Sequence, residues 1–441
     1  MDILLTGSTQ IATMLAIQLS QEGHNVTVMD DNYPRLNAIK EKADVEIIVA
    51  RPTYPQSFKQ ANAHQKNLLI AVHELDEMNM LSCQVAHSLF QIPKKIARIS
   101  SPHYLVRHEL FGDSDLPIDV FINSDGLVIQ HIEHNIHYDA HMSVSPFGFN
   151  ELCIIDLTLN KLHIQHRPSL CNITPFLPSK LSKVISVVRH SNVLTSKNID
   201  FLPQDRLFIL TEKSNQKSVL KLFDIHKKDK PNIMIAGGGN IGATLGKRLS
   251  TRYHVKLIEQ DTSRCYELVK TAPYLNILNA DATDKKFLID EGIDNIDCFC
   301  ATTGDDEDNI ISSIQANHLG AKQTVCLISR DNYLDIFNQG TPNRLILSHR
   351  LISQHIFQHI HPGQFIENKP LLHGSTRLIL AEVSRHSAIL NTLKLPKNTT
   401  LLAIRRSGRW LIPNDELQID DHVLLLSLNE DDISALDLLF Q

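Results

Sequence analysis

The chain repeats itself, and the repeat governs every other reading. "DILLTGSTQIATMLAIQLS" from Asp2 lines up with "NIMIAGGGNIGATLGKRLS" from Asn232, a shift of 230 residues. "LDEMNMLSCQVA" from Leu75 pairs with "DDEDNIISSIQA" from Asp305 at the same shift. The far ends of the halves match as well, "VVRHSNVLTSKNIDFLPQDRLFIL" from Val187 against "AIRRSGRWLIPNDELQIDDHVLLL" from Ala403, at a shift of 216. Two copies of a two-lobe unit follow. The large lobes are read as residues 1–125 and 231–345 and the small lobes as 140–225 and 362–441, with "IHKKDKPN" (225–232) as the central linker.

In each large lobe short apolar runs alternate with segments of helical period. The second copy has the predicted strands "NIMIAG", "HVKLIE", "NILNA", "DCFCATT" and "TVCLIS". This alternation predicts an α/β fold, a Rossmann-like doubly wound parallel sheet in each large lobe. The small lobes carry alternating runs such as "RLILAEVS" and "HVLLLSL" and read as compact α+β modules.

A net charge of −6 and the lack of any long Lys/Arg run leave no basic footprint for nucleic acid. No apolar stretch approaches the roughly 18 residues that span a bilayer, and Met1-Asp2 opens without a basic leader, so a cytoplasmic protein is expected. The 7 cysteines are scattered with no CxxC pair and are expected to be reduced and mostly buried. Cys298 and Cys300 in "DCFCA" share one face of a strand.

Chemistry concentrates in one loop. Gly237-Gly238-Gly239-Asn240-Ile241-Gly242 gives GxGxxG directly between a strand and an amphipathic segment. Gly237 permits the tight turn, Gly239 lets backbone approach a pyrophosphate, and Gly242 lets helix and strand pack closely. Asn240 and Ile241 open the helix whose free N–H groups would face the phosphates. Glu259, 22 residues after Gly237, ends the next strand where a ribose-binding acid belongs. Its charge favours NAD-type or adenosine ligands over NADP. Asp281 and Ala282 in "NADATD", and Thr302 and Thr303 in "ATTGDDEDN", fall at the carboxyl ends of strands, where such sheets bind ligands. Asp306, Glu307 and Asn309 recur as Asp76, Glu77 and Asn79, and the acids of "DDED" are expected to cap the following helix.

These residues resemble a known family, the regulatory RCK (or KTN) domains, specifically the peripheral subunits of Trk-type bacterial potassium uptake systems. The resemblance rests on "MIAGGGNIGATL", "VKLIEQD", "NADATD", "TTGDDEDNI" and "LGAK" in the second copy, on "DEMNMLSCQVAHSLF", "IARISSPHY" and "LPID" in the first, and on the large-small-large-small order. It implies a regulatory subunit without catalytic residues or a metal site, binding NAD(H) or an adenine nucleotide (ATP/ADP). It further implies a membrane-embedded Trk-type potassium channel or transporter as partner, peripheral attachment to the inner face of the membrane, and a homotetramer giving a ring of eight lobes.

The first copy departs from the pattern. In Gly7-Ser8-Thr9-Gln10-Ile11-Ala12, Thr9 replaces the second glycine, and its branched Cβ should obstruct a pyrophosphate. Asp30 keeps the ribose acid, and Ala71 ends the strand before "VHELDE". Arg51 in "VARPTY" stands opposite Asp281 and inverts its charge. Either this pocket has lost dinucleotide binding and survives as scaffold, or Arg51 with Arg98 in "IARIS" favours a more highly charged ligand such as ATP.

Among 23 histidines, His131, His134 and His137 share a helical face by i, i+3 spacing, and His355 and His359 lie at i, i+4 with His361 close by. Neither set is HExxH or carries a cysteine, so a solvated or lobe-contacting helix face is expected rather than zinc. Two rival classes stay open: an NAD-dependent oxidoreductase, against which the repeated small module weighs, and a free-standing nucleotide-sensing scaffold.

Overall fold

The computed structural model describes residues 1–112, 115–136, 142–160, 163–164, 169–190, 192–194, 199–225, 230–333, 343–360, 365–372, 376–384, 395–413, 416–429 and 431–440. In the first large lobe strands β1 (Asp2–Thr6), β2 (Asn25–Asp30), β3 (Glu46–Val49), β4 (Leu68–Ala71), β5 (Lys94–Arg98) and β6 (Val120–Ile122) form one sheet in the order β3-β2-β1-β4-β5-β6, parallel throughout. Helix α1 (Gln10–Gln21) follows β1, α2 (Asp76–Phe90) follows β4 and α3 (Ser124–Asn135) follows β6. The first small lobe pairs β7 (Met142–Phe147), β8 (Leu152–Thr158), β9 (Lys183–Arg189), β10 (Asn192–Leu194) and β11 (Arg206–Glu212) antiparallel, in the order β10-β9-β11-β8-β7.

The second half repeats both. Strands β12 (Asn232–Ala236), β13 (His254–Glu259), β14 (Asn276–Asn279), β15 (Cys298–Ala301), β16 (Thr324–Ile328) and β17 (Asn343–Leu347) give the parallel order β14-β13-β12-β15-β16-β17. Helix α4 (Asn240–Ser250) follows β12, α5 (Asp306–His318) follows β15 and α6 (Ser348–Gln358) follows β17. Strands β18 (Phe365–Leu372), β19 (Thr376–Glu382), β20 (Thr399–Arg406), β21 (Arg409–Leu411) and β22 (His422–Ser427) form the second antiparallel sheet.

The central parallel strands β1, β4, β12 and β15 are nearly all apolar because both sheet faces are covered there. Along β1, Ile3 and Leu5 join one buried cluster and Leu4 joins the other. The sixth strand β17 lies beyond the five runs expected for that lobe: "NRLIL" opens with Asn343 and Arg344 and leaves only three apolar residues in a row, too short a run to stand out.

The chain divides into two compact units, Met1–Ile132 with Asn232–Ile360, and Glu133–Pro231 with His361–Gln441. The first unit takes in both large lobes, with α3 as far as Ile132 and all of α6. Within the first unit α6 packs on α1 of the other lobe, and its Ile352, Ile356 and Phe357 share a cluster with Ile3, Leu15 and Leu19. The helix completes its neighbour's core, because its own apolar stripe needs a partner face. Just past it, His359 is pushed down to about 4 by burial, then by His355 and Lys94, so it stays neutral at physiological pH.

In the second unit the two antiparallel sheets share a core. Phe147, Leu152, Phe208 and Leu210 cluster with Leu378, Leu380, Leu424 and Leu426. Each sheet holds a buried carboxylate in an arginine fork: Arg189 Nε and Nη2 donate to Asp205 at 2.8 and 2.7 Å, and Arg406 Nε and Nη2 donate to Asp421 at 2.8 and 2.7 Å. The aspartates keep the 216-residue shift, but the arginines are 217 apart, so the repeat slips by one residue between strand and aspartate.

Burial disfavours ionisation of Asp205, but the Arg189 fork and the Leu202 N–H outweigh it and hold the carboxyl below its usual range. Its stabilisation is thus present above the unfolded carboxylate range and is lost as pH falls through the folded value. Asp205→Asn should cost about 2 kcal/mol at pH 7, less than a fully buried pair because Arg189 remains partly exposed. In thermal unfolding of the full chain, the gap between this variant and the parent should narrow as pH drops below about 4.

Candidate functional site

In the second copy the chain leaves β12 through Gly237 at φ +100°, which a side chain rarely adopts, and a Cβ there would lie 2.9 Å from the Thr303 backbone. Thr303 is held in place by Asn309. The Asn309 Oδ1 accepts from Thr303 N–H and Oγ1, both at 2.8 Å, and its Nδ2 donates to Thr303 O at 3.1 Å and Leu327 O at 2.9 Å. Thr302 Oγ1 donates to Ala236 O at 3.1 Å and lines the same turn. A Cβ on Gly242 would fall 1.9 Å from Gly237 O and 2.7 Å from Thr302 Oγ1, so the helix starts that close to the strand only with glycine there.

Gly239 is different. It caps α4 with no side-chain hydrogen bond, and a Cβ built on it meets nothing within 4 Å. The first turn of α4, with Asn240 exposed and Ile241 partly so, thus presents backbone N–H groups to open space, the arrangement that receives phosphate. Glu259, half-buried at the end of β13, accepts from Gly238 N–H at 2.6 Å and from Asp261 N–H at 2.7 Å. It buttresses the loop while standing beside it. Arg264 Nε donates to Gly238 O at 2.9 Å and fastens the loop from the other side. The sequence marked this arginine only by its recurrence as Arg35 at the same place in the first copy.

Asp281 is exposed at the end of the adjacent strand, its Oδ1 accepting from Thr283 N–H at 2.8 Å and Thr283 Oγ1 at 2.7 Å, with Ala282 between them. The mouth is acidic: burial, then Asp305 and Asp281, push the Asp308 carboxyl above its usual range. The "DDED" acids divide their work rather than all capping α5. Asp305 is the cap, accepting from Asp308 N–H at 3.0 Å, whereas buried Asp306 accepts from Ser329 and Arg330 N–H and ties down the loop after β16. In the first copy Leu75 stands at the cap with no side-chain bond, and Asp76 and Asn79 make the corresponding loop contacts to Ser100, Ser101, His73 and Arg98.

The first copy keeps the turn and changes its edge. Gly7 has φ +103°, and its missing Cβ is required by His73, 2.8 Å away. Thr9 caps α1: its Oγ1 accepts from Ala12 N–H at 3.3 Å and donates to Val72 O at 3.0 Å. The hydroxyl occupies a backbone donor that phosphate would use, beside Gln10 and Ile11 in the helix's first turn. Asp30 is 4% exposed and accepts from Asn32 N–H at 2.8 Å; Ala71 is buried at the end of β4. Arg51 lies exposed over Tyr54, 5.5 Å from the ring centroid.

Arg98 does not join Arg51. Their strands β5 and β3 stand four positions apart in the sheet, about 19 Å at the usual strand spacing. Arg98 Nε instead donates to Ser124 Oγ at 3.2 Å, beside Asp125, whose carboxyl burial raises and Arg98, Ser124 and Asn240 pull back down. Asp125 and Asn240 thus connect the first lobe to the second lobe's glycine loop. Sequence spacing held no signal for this contact, which joins residues far apart in the chain.

Of the histidines, His131 and His134 lie on α3, and the His355 and His359 rings stand edge to face at 5.1 Å; His137 and His361 fall outside the described residues. Among the described residues no three His, Cys, Asp or Glu side chains gather as a metal site. Six cysteines are buried and Cys171 is exposed; Cys298 and Cys300 Sγ lie 3.6 Å apart inside β15. Among the described residues no helix is long and apolar enough to cross a membrane.

Comparison with known proteins agrees with this architecture. The GsuK RCK domain aligns over 99% of this chain and 94% of its own, with a TM-score of 0.62 at 17% identity. The GsuK channel bound to NAD aligns over 100% of this chain and 78% of its own, with a TM-score of 0.60 at 17% identity. These likenesses establish the fold. The Trk system potassium uptake protein TrkA of Vibrio alginolyticus is 31% identical over 100% of this chain and 99% of its own length. The TrkA-N domain model matches residues 3–123 and 233–348, once in each half. With a glycine-loop lobe in each half and full-length similarity of this kind, the chain belongs to the TrkA family of Trk system potassium uptake proteins.

Proposed function

We propose that this chain is a nucleotide-sensing regulatory subunit, not an enzyme, that gates a membrane-embedded Trk-type potassium channel or transporter from the cytoplasmic side. The observation that carries the reading is the open, uncapped helix start at Gly239, flanked by Glu259, in a chain of the TrkA family. The second pocket takes NAD(H) or an adenine nucleotide. Its pyrophosphate lies against the first turn of α4, its ribose near Glu259, and its remaining contacts come from Asp281, Ala282, Thr302 and Thr303. The GsuK channel, whose fold this chain shares, has been seen bound to NAD.

Regulation follows from linkage. A ligand that prefers one arrangement of the large lobes shifts their equilibrium, and the attached partner responds to the shift. Asn240, at the phosphate end of α4, touches Asp125 of the other lobe, so the ligand site adjoins the contact that would have to change. Chains assemble as a homotetramer whose eight large lobes form a ring.

Introducing the first copy's residue should close the second pocket. Gly239→Thr leaves the fold intact, since its Cβ meets open space and threonine and glycine rank together as helix caps. NADH affinity, measured by calorimetry, should fall about 100-fold or more, equivalent to the loss of a charge-assisted phosphate contact. Unchanged NADH binding would remove the pocket reading. Glu259→Gln should weaken NADH about tenfold through the lost charged acceptor for the ribose hydroxyls. Co-purification with a polytopic potassium transporter, and potassium flux in vesicles with and without NADH, tests the gating role. Flux indifferent to both the subunit and the nucleotide would reject it.

A further inference from the structure

The two large lobes differ in charge at the mouth of the pocket, on the side where this fold seats a ribose. The second copy carries Asp281, Asp305 and Asp308 there; the first carries Arg51, Leu75 and Met78 at the same repeat positions. Ala50 N–H donates to Asp30 O at 3.0 Å, so Arg51 emerges one residue beyond the main chain beside the ribose acid. Its guanidinium stacks on Tyr54, which is 55% exposed.

A second guanidinium crosses the same mouth. Arg35, on the segment after β2, donates Nη1 to Glu74 Oε1 at 2.9 Å; Glu74 follows β4, so the pair bridges two strand ends with β1 and its glycine turn between them. Both partners are more than half exposed, and so exposed an ion pair is weak enough to exchange for a better anion. In the second copy the equivalent Arg264 is committed to the loop carbonyl of Gly238. Meanwhile Asp30 is buried where Glu259 is only half-buried, and the Thr9 hydroxyl already takes the Ala12 N–H at the helix start.

We propose that the first pocket binds a nucleotide through a phosphate carried on its ribose, held by Arg51 and Arg35, rather than through a pyrophosphate on the helix. A guanidinium fork matches a phosphate dianion, and arginine at this edge is how dinucleotide folds accept a 2′-phosphate. Arg35 exchanges Glu74 for the ligand, while Tyr54 offers its ring to the base. The two copies thus divide the nucleotide pool by the presence or absence of a ribose phosphate. This goes beyond the reading of the second pocket and does not depend on it.

The test uses the full chain carrying Gly239→Thr, which silences the second pocket, titrated calorimetrically with adenosine 2′,5′-bisphosphate and with its isomer ADP. The bisphosphate should bind one per chain and about tenfold or more tighter than ADP, the margin of a charge-assisted bidentate contact. Adding Arg51→Asp should abolish that margin, and Arg35→Gln should reduce it; both positions are exposed, so the fold survives. In the parent chain Arg51→Asp should leave NADH binding unchanged. ADP binding as tightly as its isomer, or a margin indifferent to Arg51→Asp, overturns the proposal. Failure of NADH to bind the parent chain would instead overturn the second-pocket reading, leaving the isomer comparison to stand by itself.

Discussion

In each large lobe one buried asparagine holds the ligand end of the sheet together. Asn309 joins the Thr303 loop to Leu327 at the end of β16, and Asn79 joins His73 to Arg98 in the same way. An amide alone among short side chains offers two donors and a carbonyl acceptor, enough to satisfy two loops where no water reaches. The Thr303 and His73 backbones so fixed press against Gly237 and Gly7, which forces the left-handed turns. Those turns aim α4 and α1 at the pocket. Substituting either asparagine would leave buried backbone groups unsatisfied and loosen everything built on them.

On that shared frame the copies diverge by few atoms. A hydrogen at Gly239 leaves helix N–H groups open, whereas the hydroxyl of Thr9 takes one of them. A carboxylate at Asp281 becomes a guanidinium at Arg51. The sheet order, a carboxylate at the end of the second strand and the asparagine bracket are the same in both. Duplication thus preserved the expensive part, a doubly covered parallel sheet, and let the surface chemistry of its ligand edge drift.

Much of this was legible in the sequence. The 230-residue shift, the GxGxxG context and the spacing to Glu259 located the parallel sheets and the glycine loop because backbone turns and strand periodicity are local properties. Arg51 and Arg98 both follow or end parallel strands, yet β3 and β5 stand four positions apart, a placement set by the sheet order and not by any local period. The reading of "DDED" as caps was right for Asp305 and missed the reach of Asp306 to Ser329 and Arg330, a choice made by the loop that β16 delivers. Arg264 carried a weak signal in its recurrence as Arg35, but its bond to Gly238 O depends on the loop's path.

The sequence by itself determined the duplication, the fold class of each lobe and the identity of the altered turn, since all three follow from residue order and period. Tertiary structure alone decided which helix completes which core, with α6 burying its stripe beside α1, and which backbone N–H groups remain free for a ligand. It also decided that Asp125 of one lobe meets Asn240 of the other. Such contacts join segments more than a hundred residues apart, and they are selected by shape, burial and hydrogen-bond satisfaction, none of which a local pattern encodes.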